Sequence, residues 1–346
     1  MKKKLNVLIS GLGRIAWRYH IPQVMEHANF NLLAVADPVT ERLDEAVANW
    51  PGIHTYSDFK TMCEAEKSAD IAVIASPTIF HKEQALTAFE HNLDVFLEKP
   101  MCENFASARQ LADAAEAAGR KVMLYQPHRN FSEYRTFNAE VRQKLGRIFH
   151  CRRTLTIFNR RNDWQSRTDC GGGMLNNYGA HYIDQFLAAF GGPLNLKGCS
   201  MKRAVGIGDA EDVVNIIMES ASGVTCDLEI NLGSPVYEDS WTVFGDLGMA
   251  RWSSASRMWE LQYVTPGTLK ELTLQQGQTA QDRTYSVEGE IAWIKESVAT
   301  EKYSPANYYD YIYEYMAENK PPFVPLSDTM EVMRFINACR LHAGKN

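Results

Sequence analysis

A glycine turn and an acidic residue downstream of it form the clearest chemical signal in this sequence. Residues 11–16 read GLGRIA, a G-x-G-x-x-A pattern, and Asp37 directly follows the apolar run at residues 31–36. The first glycine permits a tight turn, the second lets the backbone approach a pyrophosphate, and the alanine lets the next helix pack closely. That helix presents N-terminal N–H groups to phosphates, and the acid accepts hydrogen bonds from a ribose. The spacing predicts a dinucleotide site; a glycine-rich turn in another α/β protein is the alternative.

Alternating strand and helix patterns surround this motif. Short apolar runs predict buried parallel strands, and the segments between them have helical patterns. The predicted strands are Leu5–Ser10, Asn31–Ala36, Ala69–Ser76, Asp94–Leu97 and Arg120–Tyr125, and the predicted helices are Glu41–Asn49, Lys82–His91 and Phe105–Ala118. Gly119 is expected to end the last helix in the left-handed conformation. Residues 1–125 are therefore predicted to form an α/β Rossmann domain with a parallel sheet.

Polar residues follow three of these strands. The strand ends carry Ser76–Thr78, Glu98–Pro100 and Gln126–Arg129. Because the carboxyl ends of parallel strands share one edge of a sheet, these segments are expected to lie close together. Ligands bind at that edge in open α/β sheets.

The second half of the chain has a different pattern. Val224–Leu232 alternates strictly between apolar and polar residues, which predicts an antiparallel strand with one covered face. Its predicted hairpin partner is Asp212–Glu219, further strands are expected at Ile148–Asn159, Trp241–Phe244 and Met258–Val264, and helices at Pro305–Asn319 and Asp328–His342. Residues 126–346 are thus predicted to form an α+β domain with an open, mainly antiparallel sheet. A homodimer or homotetramer is expected to cover its second face.

Composition excludes several classes of protein. The 346 residues are 45% apolar and 23% charged, as in soluble globular proteins, and the net charge of −6 argues against a nucleic-acid binder. No apolar run approaches the ~20 residues of a membrane helix. The seven cysteines are scattered without a C-x-x-C pair. They favour a reducing cytoplasm and predict neither a disulfide framework nor a metal site.

The motifs together resemble the glucose–fructose oxidoreductase / inositol dehydrogenase family of NAD(P)-dependent sugar oxidoreductases, over essentially the whole chain. The most specific marks are the E-K-P sequence at residues 98–100 and the three glycines at 171–173, which are followed by His181 and Asp184. The closing segments Tyr308–Lys320 and Pro325–Thr329 are also typical of the family.

The resemblance implies that Lys99 and His181 are catalytic. In the family the E-K-P lysine lies beside the nicotinamide and the substrate hydroxyl, and the histidine of the glycine block donates or accepts a proton. Elementary chemistry agrees, because oxidising a carbinol by hydride transfer requires loss of its O–H proton, and histidine accepts protons near neutral pH. A lysine at the same oxygen stabilises alkoxide character. The alternatives are an exposed lysine at a strand end and a structural histidine that shares a helix face with Asp184.

One position departs from the family pattern. Many members have an aspartate four residues before the histidine, whereas this chain has Asn177. An amide can bind a sugar hydroxyl but cannot take a proton. By resemblance, asparagine at this position is familiar in branches that act on sugar nucleotides or other modified sugars. The departure therefore disfavours a simple polyol as substrate and leaves His181 as the only proton acceptor in the block.

The predicted site residues form two overlapping sets. The cofactor set comprises Gly11, Gly13, Arg14, Ile15, Asp37, Ser76, Pro77, Glu98 and Lys99, and the substrate set comprises Lys99, Arg129, Trp164, Asn177 and His181. NAD is preferred over NADP because the carboxylate of Asp37 would face a 2′-phosphate. The arginines that precede the glycine block are candidate ligands for a carboxylate or phosphate, or solvated surface residues; they are Arg152, Arg153, Arg160, Arg161 and Arg167.

These residues predict an NAD(P)-dependent dehydrogenase or reductase that transfers a hydride at a CH–OH or carbonyl carbon of a sugar or sugar derivative. Two alternatives stay open. One is a non-catalytic dinucleotide-binding regulator, against which the presence of both Lys99 and His181 argues. The other is a family enzyme that acts on a non-sugar carbonyl, because a fold does not fix a substrate.

Overall fold

The computed structural model describes residues 3–272 and 290–344 and contains two β-sheets. The first sheet has six strands in the order β3-β2-β1-β4-β5-β6, and every neighbouring pair is parallel. This is the doubly wound order of dinucleotide-binding domains. The strands are β1 (Leu5–Ser10), β2 (Phe30–Ala36), β3 (His54–Tyr56), β4 (Ile71–Ile74), β5 (Asp94–Leu97) and β6 (Val122–Leu124). The predicted Rossmann fold is confirmed.

Five α-helices connect these strands: α1 (Ile21–Glu26), α2 (Thr40–Asn49), α3 (Phe59–Ala65), α4 (His81–Glu90) and α5 (Phe105–Ala118). Gly119 has φ +61° and ends α5 as predicted. The pair β3 and α3 has no counterpart in the sequence prediction. Strand β3 has three partly or fully exposed residues at the sheet edge, so no apolar run marks it.

The glycine turn lies between β1 and the helical segment that precedes α1. Gly11 has φ +88°, and a Cβ at this position would lie 2.6 Å from the backbone of Ser76. Only glycine fits here, because a side chain would meet both backbone strain and a neighbouring strand end. In contrast, no atom lies within 4 Å of a Cβ built on Gly13. The backbone of Gly13 therefore borders open space.

The second sheet has eight strands in the order β14-β13-β12-β11-β7-β10-β9-β8. They are β7 (Ile148–Thr156), β8 (Asn195–Lys202), β9 (Val213–Glu219), β10 (Thr225–Asn231), β11 (Trp241–Gly245), β12 (Gly248–Trp252), β13 (Trp259–Tyr263) and β14 (Ile294–Val298). The predicted hairpin of β9 and β10 is confirmed, but β10 pairs in parallel with β7 on its other side. All other pairs are antiparallel. The alternation of apolar and polar residues in β10 indicates that one face of the strand is covered. Parallel and antiparallel pairing both satisfy this pattern.

Within the part of the chain that the structure describes, four further α-helices follow β6: α6 (Ser132–Thr136), α7 (Ala180–Phe190), α8 (Tyr308–Glu318) and α9 (Leu326–His342). Cys226, Leu228 and Ile230 of β10 share one apolar core with residues of α7. The alternate residues of this strand, such as Asp227 and Glu229, lie half-buried on the other face of the sheet. That face is the surface for which a homo-oligomer is expected, and the oligomeric state stays a prediction.

The two closing helices connect the sheets. Helix α8 packs on the first sheet, since its Tyr309 shares the core of β1 and β5 and the Tyr308 hydroxyl donates to the Leu124 carbonyl oxygen over 2.9 Å. Helix α9 contributes Met333 to the core beside α5 and Phe335 to the core of the second sheet. Helix α8 thus returns to the sheet of residues 1–125, although the predicted division places it in the other domain. No helix within residues 3–272 and 290–344 combines the length and apolarity needed to span a membrane.

Candidate active site

Lys99 follows β5 at the carboxyl edge of the first sheet, and the peptide bond between Lys99 and Pro100 is cis. Its ammonium donates hydrogen bonds to two oxygens of Asn177, the backbone oxygen at 3.1 Å and Oδ1 at 2.7 Å. Within the described part of the chain Lys99 forms no ion pair. Burial lowers the pKa of Lys99 to about 8, with repulsion from Arg161 and Arg14 added, while Glu98 acts in the opposite direction. The structure thus places a weakly basic amine at the ligand edge.

The carboxamide of Asn177 joins Lys99 to a surface turn. Nδ2 of Asn177 donates to Oε1 of Gln165 over 2.9 Å. Gln165 belongs to the 3₁₀ turn Trp164–Ser166, on which Trp164 is 43% exposed. The predicted substrate residues Lys99, Asn177 and Trp164 therefore lie on connected elements.

His181 lies in the first turn of α7 and is buried. Its Nδ1 lies 2.6 Å from Oε1 of Gln126, and the amide nitrogen of Gln126 faces the Ala180 carbonyl oxygen at 3.5 Å. Because Oε1 can only accept, the proton of neutral His181 is assigned to Nδ1. Nε2 then carries a lone pair, and no hydrogen bond within residues 3–272 and 290–344 engages it. His181 can therefore accept a hydrogen bond from a ligand hydroxyl.

A second imidazole stacks on the first. The rings of His128 and His181 are 3.9 Å apart between centroids and inclined by 25°. Burial lowers the pKa of His181 well below the ordinary value, and the nearby His128 and Lys99 add to this. Burial likewise lowers the pKa of His128, with contributions from Arg153 and Lys99. The sequence pattern predicts that His181 accepts protons near neutral pH, whereas burial in the structure favours its neutral imidazole.

Glu98 belongs to a buried chain behind Lys99. One carboxylate oxygen lies 3.0 Å from Nε2 of His20, whose Nδ1 lies 2.9 Å from the Tyr309 hydroxyl. The other oxygen accepts the backbone N–H of Lys99 over 3.2 Å. Glu98 therefore ties β5 to α8 and to the segment after the glycine turn. Its predicted contact with a cofactor stays a prediction.

The residues around the glycine turn fit a dinucleotide. Asp37 is buried, and its carboxylate accepts the N–H of Leu12 over 2.7 Å and that of Val39 over 3.0 Å. The guanidinium of Arg42 lies 3.2 Å from the same carboxylate. Gly13 leaves room for a pyrophosphate, since a Cβ there would meet no atom within 4 Å. The open backbone and the acid at the end of β2 are the features that such a cofactor requires.

The remaining predicted cofactor residues border this turn. Arg14 is exposed and Ile15 is half-buried. The Ser76 hydroxyl donates to Gln84 Oε1 over 2.7 Å, and Pro77 immediately precedes the turn Thr78–Phe80. Their contacts with a dinucleotide stay predictions. In the described segments no group of three or more His, Cys, Asp or Glu residues is arranged to hold a metal.

Arg129 occupies a different place from the one expected. Nε and Nη2 bind both carboxylate oxygens of Asp184 at 2.6 and 2.7 Å, and Nη2 also binds Asp328 at 2.9 Å. Burial acts to lower the pKa of Arg129, but the two carboxylates outweigh it and raise the pKa. These two ion pairs join the segment after β6 to α7 and α9. Its geometry argues against the predicted contact of Arg129 with substrate.

Two profiles of one protein family match the chain. The description "Oxidoreductase family, NAD-binding Rossmann fold" matches residues 5–126, and "GFO/IDH/MocA C-terminal domain" matches residues 139–251. The chain belongs to the GFO/IDH/MocA oxidoreductase family. The resemblance carried by the E-K-P sequence and the glycine block is thereby confirmed, and residues 5–126 match the NAD-binding Rossmann fold of this family.

Curated relatives include enzymes named for sugar chemistry. A putative UDP-kanosamine synthase oxidoreductase subunit of Amycolatopsis mediterranei is 30% identical over 220 residues, which cover 61% of this chain and 57% of the relative. The scyllo-inositol 2-dehydrogenase (NADP(+)) IolU of Bacillus subtilis is 28% identical over 218 residues, which cover 59% and 63%. The match therefore spans less than two thirds of either relative's length.

Among solved structures, the WlbA dehydrogenase of Chromobacterium violaceum in complex with NADH and UDP-GlcNAcA superposes with a TM-score of 0.79. The match covers 100% of this chain and 96% of that chain at 20% sequence identity. The two chains thus share both the Rossmann fold and the second sheet.

Sequence reasoning missed the amides that hold the site together. Gln126 directly follows the predicted strand Arg120–Tyr125, so its position at the ligand edge was visible, but its partner His181 is 55 residues away. Gln165 carried no signal, because it lies in a polar loop and reaches Asn177 only through the fold.

Replacing Arg129 by methionine should destabilise the protein by about 3–5 kcal/mol, because it leaves the carboxylate of Asp184 buried without its partner. Denaturant unfolding measures this, and Arg147→Met on the exposed surface is the matched control. Unchanged stability combined with a strongly raised KM would contradict the structural role and support the contact with substrate.

Proposed function

We propose that the protein is an NAD(P)-dependent dehydrogenase or reductase acting at a CH–OH or carbonyl carbon of a sugar or sugar derivative. The observation that carries this proposal is Lys99, a half-buried amine with a lowered pKa and no carboxylate partner among the described residues. It lies at the carboxyl edge of a Rossmann sheet, and its charge acts on the nearby His181. A bound nicotinamide dinucleotide would supply the hydride acceptor or donor.

The hydrogen bonds of Lys99 define its chemical role. An ammonium has three N–H donors, and the two oxygens of Asn177 take two of them. One position of Nζ therefore remains for the substrate oxygen, as an N–H in the ammonium or a lone pair in the amine. In the oxidation direction the amine takes the carbinol proton, and in the reduction direction the ammonium returns it.

His181 complements Lys99 without changing its own charge. The lone pair on Nε2 accepts a hydrogen bond from a second hydroxyl of the substrate and orients the sugar, because the single proton of the reacting hydroxyl goes to Nζ of Lys99. Because burial keeps the imidazole neutral, it adds no positive charge that would repel the ammonium. This assignment differs from the one that the resemblance implied, in which histidine carries the proton.

A modified sugar fits the surroundings of Lys99 better than a simple polyol. Asn177 provides an amide where a carboxylate would repel an anionic substrate. Trp164 is exposed on the turn next to it, and the charges of Arg14 and Arg161 act on Lys99. The relative named for UDP-kanosamine synthesis and the structure with bound UDP-GlcNAcA support a sugar nucleotide or sugar acid.

Lys99→Met should lower kcat by about 10²–10⁴-fold, because it removes the proton acceptor and donor at the reacting oxygen. The affinity for the dinucleotide should stay within a few-fold. Nicotinamide absorbance with sugars, sugar acids and nucleotide sugars measures turnover, and NADH fluorescence measures binding. Lys197→Met on β8 is the matched control. Near-normal turnover in Lys99→Met would remove this residue from the mechanism, and dinucleotide binding without turnover of any substrate would favour a regulator.

The buried carboxylate of Asp37 favours NAD, although Arg42 lies beside it and relatives use either cofactor. NADH should bind about tenfold more tightly than NADPH, a difference of ~1.4 kcal/mol from repulsion of the 2′-phosphate. Asp37→Asn should narrow the difference by strengthening NADPH binding, whereas Asp58→Asn at the start of α3 should leave it unchanged. Fluorescence titration decides the matter, and equal or tighter binding of NADPH by the wild type would overturn the preference.

A further inference from the structure

We propose that Gln165 is a positioning residue for Lys99, which acts by holding the carboxamide of Asn177 with Oδ1 turned toward the ammonium. Nothing in the family motifs marks this residue. The inference deepens the proposed function and rests on it only for the statement that Lys99 acts at the reacting oxygen. The hydrogen-bond chain itself is independent of the reaction.

The donors and acceptors along the hydrogen bonds from Gln165 through Asn177 to Lys99 permit one arrangement. The ammonium form of Lys99 can only donate, so the Asn177 atom that faces it must be the amide oxygen. Nδ2 of Asn177 then points the other way and requires an acceptor. Oε1 of Gln165 is that acceptor at 2.9 Å. Without an acceptor on Gln165, the carboxamide would lose the hydrogen bond that restrains its rotation on this side, and only Lys99 itself would hold Oδ1 toward the ammonium.

The backbone of Gln165 is fixed from both sides. Its N–H donates to Oδ1 of Asp163 over 3.2 Å, and its carbonyl oxygen accepts the N–H of Gly173 over 2.9 Å. A Cβ on Gly172 would lie 2.6 Å from that carbonyl oxygen. The glycine block therefore lets the turn approach closely enough for Gln165 to reach Asn177. This gives the three-glycine motif a physical role in the site.

The hydrogen bonds that link Gln165 to Lys99 pass only through neutral amide groups. The hydrogen bond from Nζ to Oδ1 of Asn177 favours the charged form of Lys99, since a hydrogen bond is stronger when its donor is ionised. The charged groups that act on Lys99 are the adjacent Glu98 and, from other elements, Arg161 and Arg14. A change at Gln165 alters none of them. Its effect on Lys99 must pass through the orientation of Asn177.

Competitive acetylation of Lys99, followed by peptide mass spectrometry from pH 6 to 11, measures its pKa without substrate or cofactor. Gln165→Met should shift the midpoint downward by up to about one pH unit, because a charge-assisted hydrogen bond is weakened. Gln165→Glu keeps an acceptor for Nδ2 and should return the midpoint to the wild-type value or above it. Gln143→Met, on an exposed side chain elsewhere, should change nothing, and the exposed Lys197 is an internal reference.

A double variant shows whether Gln165 acts through Asn177. In the Asn177→Ala background, Gln165→Met should cause no further shift of the Lys99 midpoint. The proposal is overturned if Gln165→Met leaves the midpoint unchanged, or if it shifts the midpoint equally in both backgrounds. If the Gln165→Met variant does not fold, the Gln165→Glu variant still tests the proposal. A Lys99 midpoint below that of the wild type would then contradict it. Failure of the proposed function would instead appear as normal turnover in Lys99→Met.

Discussion

The site depends on a half-buried ammonium that is hydrogen-bonded to neutral oxygens. Taking a charged amine out of water disfavours its charged form, and a carboxylate partner would restore it. Around Lys99 the adjacent side chain is an asparagine, so the charge is held by a carboxamide and a backbone oxygen. The result is an amine that can be either protonated or neutral near pH 8. A proton-transfer group needs this balance.

Two glutamine side chains orient the polar groups of the site. Gln126 fixes the tautomer of His181, and Gln165 faces the amide of Asn177, which binds Lys99. Each glutamine is itself held by a backbone contact. An amide orients a neighbouring group without adding a charge. The electrostatic field at the reacting oxygen therefore comes from Lys99, Glu98 and the neighbouring arginines.

The site geometry requires the two sheets to hold a fixed position relative to each other. Lys99 comes from the edge of the first sheet, whereas His181 belongs to α7 on the second. The buried ion pair of Arg129 with Asp184 and its half-buried ion pair with Asp328 cross this junction, and α9 packs into both cores. Long-range packing therefore supports a site whose parts are distant in sequence.

Sequence reasoning predicted what local patterns encode. The buried strands, the glycine turn, α5 with its Gly119 cap and the hairpin of β9 and β10 all have short-range signals. Strand β3 lacks an apolar run, and the parallel pairing of β7 with β10 joins segments far apart in the chain. For the site, Lys99 and His181 could be named, but the partners of Arg129 and the position of Gln165 follow only from the tertiary structure. The protonation state of His181 also depends on burial, which the motif does not report.

In the proposed reaction Lys99, and not His181, carries the proton. The pH dependence of kcat/KM, measured with a substrate found by nicotinamide absorbance, tests it directly. The neutral amine is the acceptor in oxidation, so the rate should rise through an apparent pKa of about 8, and the rate of reduction should fall through the same value as the ammonium is lost. His181→Asn should retain this limb at a lower rate. A limb near the ordinary histidine pKa that disappears in His181→Asn would contradict the account.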